Sequence, residues 1–161
     1  MNLETERLLL SEITLNDAES IYAIYSHPKV IEYYTDAPIA GEDDTVNFIS
    51  RITAGDNLIF SIRLKEKPDD IIGDCGLHDR NEETSTIEMG GSLLPDFWGK
   101  GIMTEAFNAL IIYARNEMNV RMIMAKTNRH NRQAIRAIKK LGFTVSSMTE
   151  AEVILSKKCI N

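Results

Sequence analysis

The apolar positions of the chain change period several times, and each change marks an element. Within Leu3 to Thr14, the run Thr5-Glu6-Arg7-Leu8-Leu9-Leu10 predicts a first strand. Thr14 ahead of Asp17 is a helix-start signal, and Ala18, Ile21, Tyr22, Ile24 and Tyr25 follow at helical spacing up to Pro28. Val30 to Tyr34 predicts a second, short helix. Thr35 to Asp44, with Pro38 and Gly41, reads as a loop, and Val46, Phe48, Ile49 and Ile52 predict a helix ending near Gly55. Leu58, Phe60, Ile62 and Leu64 then alternate. Strands are expected over Asn57 to Lys65 and Asp70 to His78, joined by a Lys65 to Asp69 turn, and over Thr84 to Leu94 after a turn at Asn81-Glu82-Glu83.

Pro95 stops that third strand of the meander. Beyond it Ile102, Met103, Ala106, Phe107, Leu110, Ile111 and Ala114 recur at three- and four-residue intervals and predict a long helix. Val120 to Ala125 reads as a buried strand, so strand, crossover helix and strand make a parallel, right-handed unit. Asn131, Ala134, Ile135, Ala137, Ile138 and Leu141 mark a last helix that Gly142 ends. Phe143 to Ser146 and Val153 to Ser156 can close the sheet as a hairpin. The class is α/β with helices flanking one mixed sheet.

At 161 residues the chain suits one domain with one sizeable core, expected to span 1–161. Apolar residues at 43% and charged residues at 26% are ordinary for a globular protein. No apolar run is long enough to span a bilayer, and Met1 to Arg7 carries acidic residues without a signal-peptide pattern. Cys75 and Cys159 lack metal-type spacing, so reduced thiols in the cytoplasm are expected. His27, His78 and His130 are scattered along the sequence, which argues against a metal site or a nucleophilic triad. The net charge of -6 argues against a general nucleic-acid binder and is compatible with a cationic small molecule or peptide as partner.

Candidate chemistry begins at the turn between the third meander strand and the long helix. Gly99 and Gly101 stand at the helix entrance, where free N–H groups point outward at the positive end of the dipole and glycine lets a phosphate approach. Most known cradles fail on spacing. A P-loop needs Ser or Thr after Gly99-Lys100 and a glycine at 94, where the chain has Gly101 and Leu94. A dinucleotide fingerprint starting at Gly99 needs a glycine where Thr104 stands, and Gly90 to Leu94 lacks the last glycine of a nucleophile elbow.

Trp98-Gly99-Lys100-Gly101-Ile102-Met103 resembles the acetyl-CoA loop of the GNAT superfamily of N-acetyltransferases, whose motif is Gln or Arg, two residues, Gly, one residue, then Gly or Ala. Gly101 matches the central glycine. Trp98 and Met103 depart at the ends in the manner of the RimJ/RimL-like branch, whose Trp-Gly-Lys-Gly run followed by Thr-Glu-Ala is similar to this chain's. A second stretch, Asn131-Arg132-Gln133-Ala134 with Lys139-Lys140-Leu141-Gly142-Phe143, resembles the family's Asn, two residues, Ser or Ala, and closing Lys-Leu-Gly-Phe. The resemblance implies the GNAT fold over nearly the whole chain: a mostly antiparallel sheet of about seven strands with one splayed parallel pair at the acetyl-CoA site.

The activity so implied is transfer of the acetyl group from acetyl-CoA to a primary amine by direct attack. N–H groups from Gly99 through Lys100, Gly101, Ile102 and Met103 to Thr104 would take the pyrophosphate, and Ser92, Leu93 and Leu94 would present backbone groups to pantetheine. The resemblance nominates the Leu93 N–H as the donor to the thioester oxygen and Asn131 as a pantetheine contact; read from residues alone, Asn131 is equally a polar first-turn residue. Glu88, on one strand face with Gly90, Ser92 and Leu94, matches a glutamate that family members use as base, and is otherwise a solvated or ion-paired strand carboxylate. For the leaving thiolate, Ile138 and Ala134 stand where the family has Tyr or Ser, which leaves water or Tyr113. Trp98 is either packing or a cofactor contact, and Lys100, Arg129 and Arg132 are either phosphate partners or exposed bases.

The acceptor is expected to be a peptide N-terminus or a small cationic amine. Asp36, Glu42, Asp43 and Asp44 either draw that cation or merely favour a helix start. The missing acids keep open a non-catalytic acyl-CoA sensor or partner-binding domain, and the turn alone keeps open another phosphate ligand. Homo-oligomerisation is compatible with the sequence.

Overall fold

The computed structural model describes residues 1–34 and 36–159; Thr35, with which the expected loop begins, lies outside them. The run expected as a first strand, Thr5 to Leu10, is instead a turn over Thr5 to Arg7 followed by a strand, with another strand ahead of it. β1 (Asn2–Glu4) and β2 (Leu8–Glu12) pair antiparallel about a turn in which Thr5 Oγ1 accepts the Leu8 N–H and the Leu8 carbonyl accepts the Thr5 N–H. Asp17 closes the next turn by accepting the Thr14 N–H at 2.9 Å, and α1 (Ala18–Tyr25) follows. α2 is Pro28–Ile31 rather than Val30 to Tyr34, because proline suits the first position of a helix. α3 (Glu42–Ile52) begins at Glu42 rather than Val46, so Glu42, Asp43 and Asp44 form its first turn, where carboxylates meet the positive dipole end.

The meander is β3 (Leu58–Leu64), β4 (Gly73–Asn81) and β5 (Thr86–Leu93). β4 lies further along the chain than Asp70 to His78. The Lys67 carbonyl accepts the Asp70 N–H and prolongs the turn, while a bulge at Asp79, φ 51°, lets the strand run on to pair Asn81 with Thr86. Then come α4 (Ile102–Glu117), β6 (Met122–Asn128), α5 (Arg132–Lys140), β7 (Thr144–Met148) and β8 (Glu152–Lys158). Gly142, φ 90°, ends α5 as expected: its N–H reaches the Lys139 carbonyl and the Phe143 N–H the Ile138 carbonyl.

Eight strands among the described residues form one sheet in the order β1-β2-β3-β4-β5-β6-β8-β7, against about seven expected. Only β5 and β6 are parallel. Ile87, Met89 and Leu93 of β5 join Ile102, Phe107 and Leu110 of α4 in the main core. Alternation turns Glu88, Gly90 and Ser92 to the opposite face, where Ile21, Ile24 and Tyr25 of α1 pack with Phe48 and Ile49 of α3 in a second cluster.

The entrance of α4 is tied to the chain's first turn. Glu105 accepts from Thr5 Oγ1, from the Arg7 N–H at 2.8 Å and from Arg7 Nε at 2.6 Å, while the other arm of that guanidinium donates to the Lys100 carbonyl at 2.9 Å. Burial pushes the Glu105 carboxyl up, but the bonds from Thr5 and Arg7 and the guanidinium charge outweigh it and lower the pKa. A depressed carboxyl contributes stability that is present above its unfolded pKa and lost as pH falls through the folded one. Glu105→Gln should therefore lower unfolding free energy by about 2 kcal/mol at neutral pH, with the deficit closing in acid. Denaturant titrations at two pH values check this; a deficit that persists unchanged in acid would mean that the charge is irrelevant.

Candidate active site

β5 and β6 share three residue pairs, Thr86 with Met122, Ile87 with Ile123 and Glu88 with Met124. Beyond Glu88, β5 keeps its pairing to β4 as far as Leu93, and β6 keeps its pairing to β8 as far as Asn128. The two strands part there. A groove of about 1550 Å³ fills the gap and runs from the Gly99 to Thr104 turn, over Ser92, Gly90 and Glu88, to Tyr34 and Phe48. Gly91 lets β5 lie close on β4 at this point, since a Cβ would stand 2.3 Å from the Asp74 carbonyl oxygen.

At one end, Gly99 (φ 72°) and Gly101 (φ 73°) both adopt the left-handed conformation that glycine takes most readily. Gly101 caps α4, so the first N–H groups of that helix face the groove beside Ile102, Met103 and Thr104. Across from the turn, Arg132, Arg136 and Lys140 recur every fourth residue of α5 and line the groove. Sequence reasoning passed over Arg136 and Lys140, although the four-residue spacing carried the signal.

Leu93 turns its side chain into the main core and its backbone to the gap. The Ser92 N–H reaches Asp74 Oδ1 and the Leu94 N–H reaches the Ile72 carbonyl, both toward β4. N–H groups alternate along a strand, so the Leu93 N–H points the other way, into the opening. Its carbonyl shares that side and is occupied by Trp98 Nε1 at 2.7 Å. Trp98, half-buried against the core, is thus a latch on the strand end.

The groove floor holds a buried acid that sequence reasoning missed. Asp74 on β4 is 4% exposed and accepts the Tyr25 hydroxyl at 2.9 Å and the Ser92 N–H at 3.1 Å. Desolvation raises its pKa to about 6, held back by those two hydrogen bonds. Burial and the Asp74 charge push the Tyr25 hydroxyl far up, so it stays protonated and donates. Beside this pair, Glu88 Oε1 accepts from Lys126 Nζ at 2.7 Å, with the carboxylate side chain 15% exposed. His78, opposite Glu88 in register, bonds Asp79 Oδ2 through Nδ1 at 2.8 Å. The fold thus gathers His78, Asp79 and Glu88, with potential ligand atoms within 4.8 Å of one another, where the sequence showed only scattered histidines; Lys126 already places a positive charge on Glu88.

Of the remaining expected residues, Asn131 lines the groove and caps α5, its Oδ1 accepting the Ala134 N–H at 3.2 Å. Leu94 packs on the second cluster and Lys100 places Nζ 5.6 Å from the Phe97 ring centre; neither lines the groove, nor do Arg129 and Tyr113. Ile138 is core, 4% exposed. Asp36 and Asp44 line the far end with Lys29 and Arg51, whereas Glu42 and Asp43 lie outside it.

A carboxyl raised by burial contributes stability that is present below its unfolded pKa and lost as pH climbs through about 6. Asp74→Asn, which cannot ionise, escapes that loss. Between about pH 4 and pH 7 its unfolding free energy should gain about 2 kcal/mol relative to the wild type. Chemical denaturation at both values checks this, and a gap independent of pH would show that Asp74 titrates as an ordinary carboxylate.

The chain around this groove matches a known family. Residues 7–144 match the family model for the acetyltransferase (GNAT) domain. A protein of Bacillus licheniformis named uncharacterized N-acetyltransferase p20 is 33% identical over 145 residues, covering 88% of this chain and 81% of that protein. The structure superposes with a TM-score of 0.84 on ribosomal-protein-S5-alanine acetyltransferase from Vibrio fischeri (19% identity; 98% of this chain, 96% of that one). It superposes with 0.81 on the microcin C7 self-immunity acetyltransferase MccE, solved with acetyl-CoA and AMP (23% identity; 96% and 93%). With its mixed sheet, parted parallel strands and glycine turn, the chain belongs to the GNAT acetyltransferase family.

Proposed function

We propose that this chain, acting as one domain over 1–161, moves the acetyl group of acetyl-CoA to a primary amine, either a peptide N-terminus or a small cationic amine. The observation that carries the reading is the parting of β5 and β6 beside a left-handed glycine turn. The turn suits a pyrophosphate, with Arg132, Arg136 and Lys140 to balance its charge, and the gap suits an extended, amide-bearing arm that completes β5 as a strand would. Asn131 keeps its amide N–H groups to offer that arm, because its oxygen already caps α5. The Trp98-Gly99-Lys100-Gly101 run with Thr104-Glu105-Ala106 supports the RimJ/RimL-like branch.

In the transfer, the amine nitrogen attacks the thioester carbonyl carbon, negative charge gathers on the oxygen, and the C–S bond breaks to release the thiolate. The Leu93 N–H, held outward by the Trp98 latch on the same residue, is the donor for that oxygen. An ammonium must first lose a proton, and Glu88 is the carboxylate assigned to that step. Five residues from Leu93 along β5, it acts through an intermediary. With Ile138 buried and Tyr113 away from the groove, the thiolate leaves as such and takes its proton from water, which a thiol pKa near ~8.5 permits.

Acetyl-CoA at 100 times its dissociation constant should stabilise the wild type by about 2.7 kcal/mol, while ATP and NAD at the same concentration should not. Gly101→Val, which places a branched residue at φ 73° in the cradle, should abolish that shift in a folded protein. Preference for ATP or NAD would sink the acetyltransferase reading.

Asp36 and Asp44 at the far end favour an acceptor that arrives charged, by raising the local concentration of ammonium groups. A thiol-release screen of polyamines, aminoglycosides, amino acids and peptides with free N-termini should find its best acceptors among the cations, with catalytic efficiency falling as salt rises. Neutralising Asp36 and Asp44 together should remove most of that dependence. A neutral or anionic best acceptor would show that these acids do not recruit it.

A further inference from the structure

Glu88 lies low in the fork, at the last shared pair of β5 and β6, whereas the acyl carbon belongs near the Leu93 N–H. At ~3.3 Å per strand residue the two positions are ~16 Å apart. Between them is Gly90, ~10 Å from Leu93 by the same measure. An imidazole stands over that glycine. A Cβ built on Gly90 would lie 3.4 Å from His78 Nε2, so the ring leans from its own register position, opposite Glu88, toward the acyl end. A larger residue at 90 would crowd the ring out of this position.

We propose that His78, positioned by Asp79, is the group that takes the proton from the acceptor amine. This rests on the acetyltransferase reading and names the intermediary that Glu88 requires. Asp79 Oδ2 receives the Nδ1–H, which fixes the tautomer and leaves the Nε2 lone pair free toward the groove. The bulge serves this contact: Asp79 is held at φ 51° with its N–H on Asn57 Oδ1, and there its carboxylate reaches back to the preceding side chain. In the step itself an ammonium N–H bond breaks, the proton joins the Nε2 lone pair, and the freed nitrogen pair attacks the thioester. The imidazolium, balanced by Asp79, then yields its proton by way of Glu88 to water. The charged groups facing the ring are Asp74 and Asp79 on β4, Glu88 on β5 and Lys126 on β6, the last already paired with Glu88.

Two measurements on the full chain test the assignment. Long-range 1H–15N spectra of the imidazoles should show His78 protonated at Nδ1 in the wild type, and at Nε2 to a large extent in Asp79→Asn. Asparagine tolerates the left-handed backbone, so that variant keeps the bulge while losing the charge. His78→Gln is then assayed by thiol release from saturating acetyl-CoA with spermidine, an ammonium at neutral pH, and with methoxyamine, which is already neutral there. Turnover should fall at least ~100-fold with spermidine and less than ~3-fold with methoxyamine, with acetyl-CoA affinity unchanged. A wild-type His78 carrying its proton on Nε2, or equal losses with both amines, overturns the role of His78 and leaves the acetyltransferase reading standing. A wild type that does not bind acetyl-CoA overturns both.

Discussion

Parallel strands that stop pairing leave N–H and carbonyl groups of two edges facing each other across a gap too wide for hydrogen bonds, and in this chain that gap is the site. It persists because each strand is held from behind. β5 keeps its ladder to β4 and β6 its ladder to β8, so neither needs the other beyond Glu88 and Met124. Unpaired backbone groups inside a protein are costly unless something satisfies them. The Leu93 carbonyl is taken by Trp98, while its N–H faces the opening. A sheet edge kept this way is ready for a ligand that is itself largely amide.

The same logic explains why the ends of the glycine motif can vary. A phosphate held by backbone N–H groups at a helix entrance does not depend on the side chains that flank it. What must be kept is the path of the backbone, and that is set by Gly99 and Gly101 with positive φ and by Arg7 reaching the Lys100 carbonyl from the first turn. Glu105, far along the sequence from Thr5 and Arg7, holds that turn against α4. The side chains of Trp98 and Met103 are not needed to set that path, although both residues line the groove, and the Trp98 ring is used for the strand end.

Period and punctuation made most of the fold legible. The alternation in β3, the three- and four-residue spacing in α4 and the Gly142-Phe143 stop on α5 all stand where the sequence placed them. The β1–β2 turn was hidden because Thr5-Glu6-Arg7 has neither glycine nor proline, and one of its two hydrogen bonds is accepted by a threonine hydroxyl. β4 was displaced because its bulge is a local backbone event at Asp79 with no compositional mark. In the site, residues that act through the backbone were readable from glycines and helix starts. Tyr25 with Asp74 was not, since 49 residues separate them, and neither was His78 beside Glu88, which only the β4–β5 register brings together.

Charge on the groove floor is arranged so that little of it is left uncompensated. Glu88 is neutralised by Lys126, His78 is tied to Asp79, and Asp74 is covered by Tyr25. Asp74 is a carboxyl whose pKa burial raises, because nearly all of its side chain is removed from water. Its carboxylate also fixes the Ser92 N–H, one residue before the donor proposed for the thioester oxygen. Protonation of Asp74 would weaken its hold on the Ser92 N–H and on the Tyr25 hydroxyl together, since a neutral carboxyl is the poorer acceptor. The geometry of the strand end is therefore coupled to the ionisation of a carboxyl on the groove floor. On the proposed mechanism, pH would act on catalysis by two routes, through the groups that move protons and through the one that holds the backbone in place.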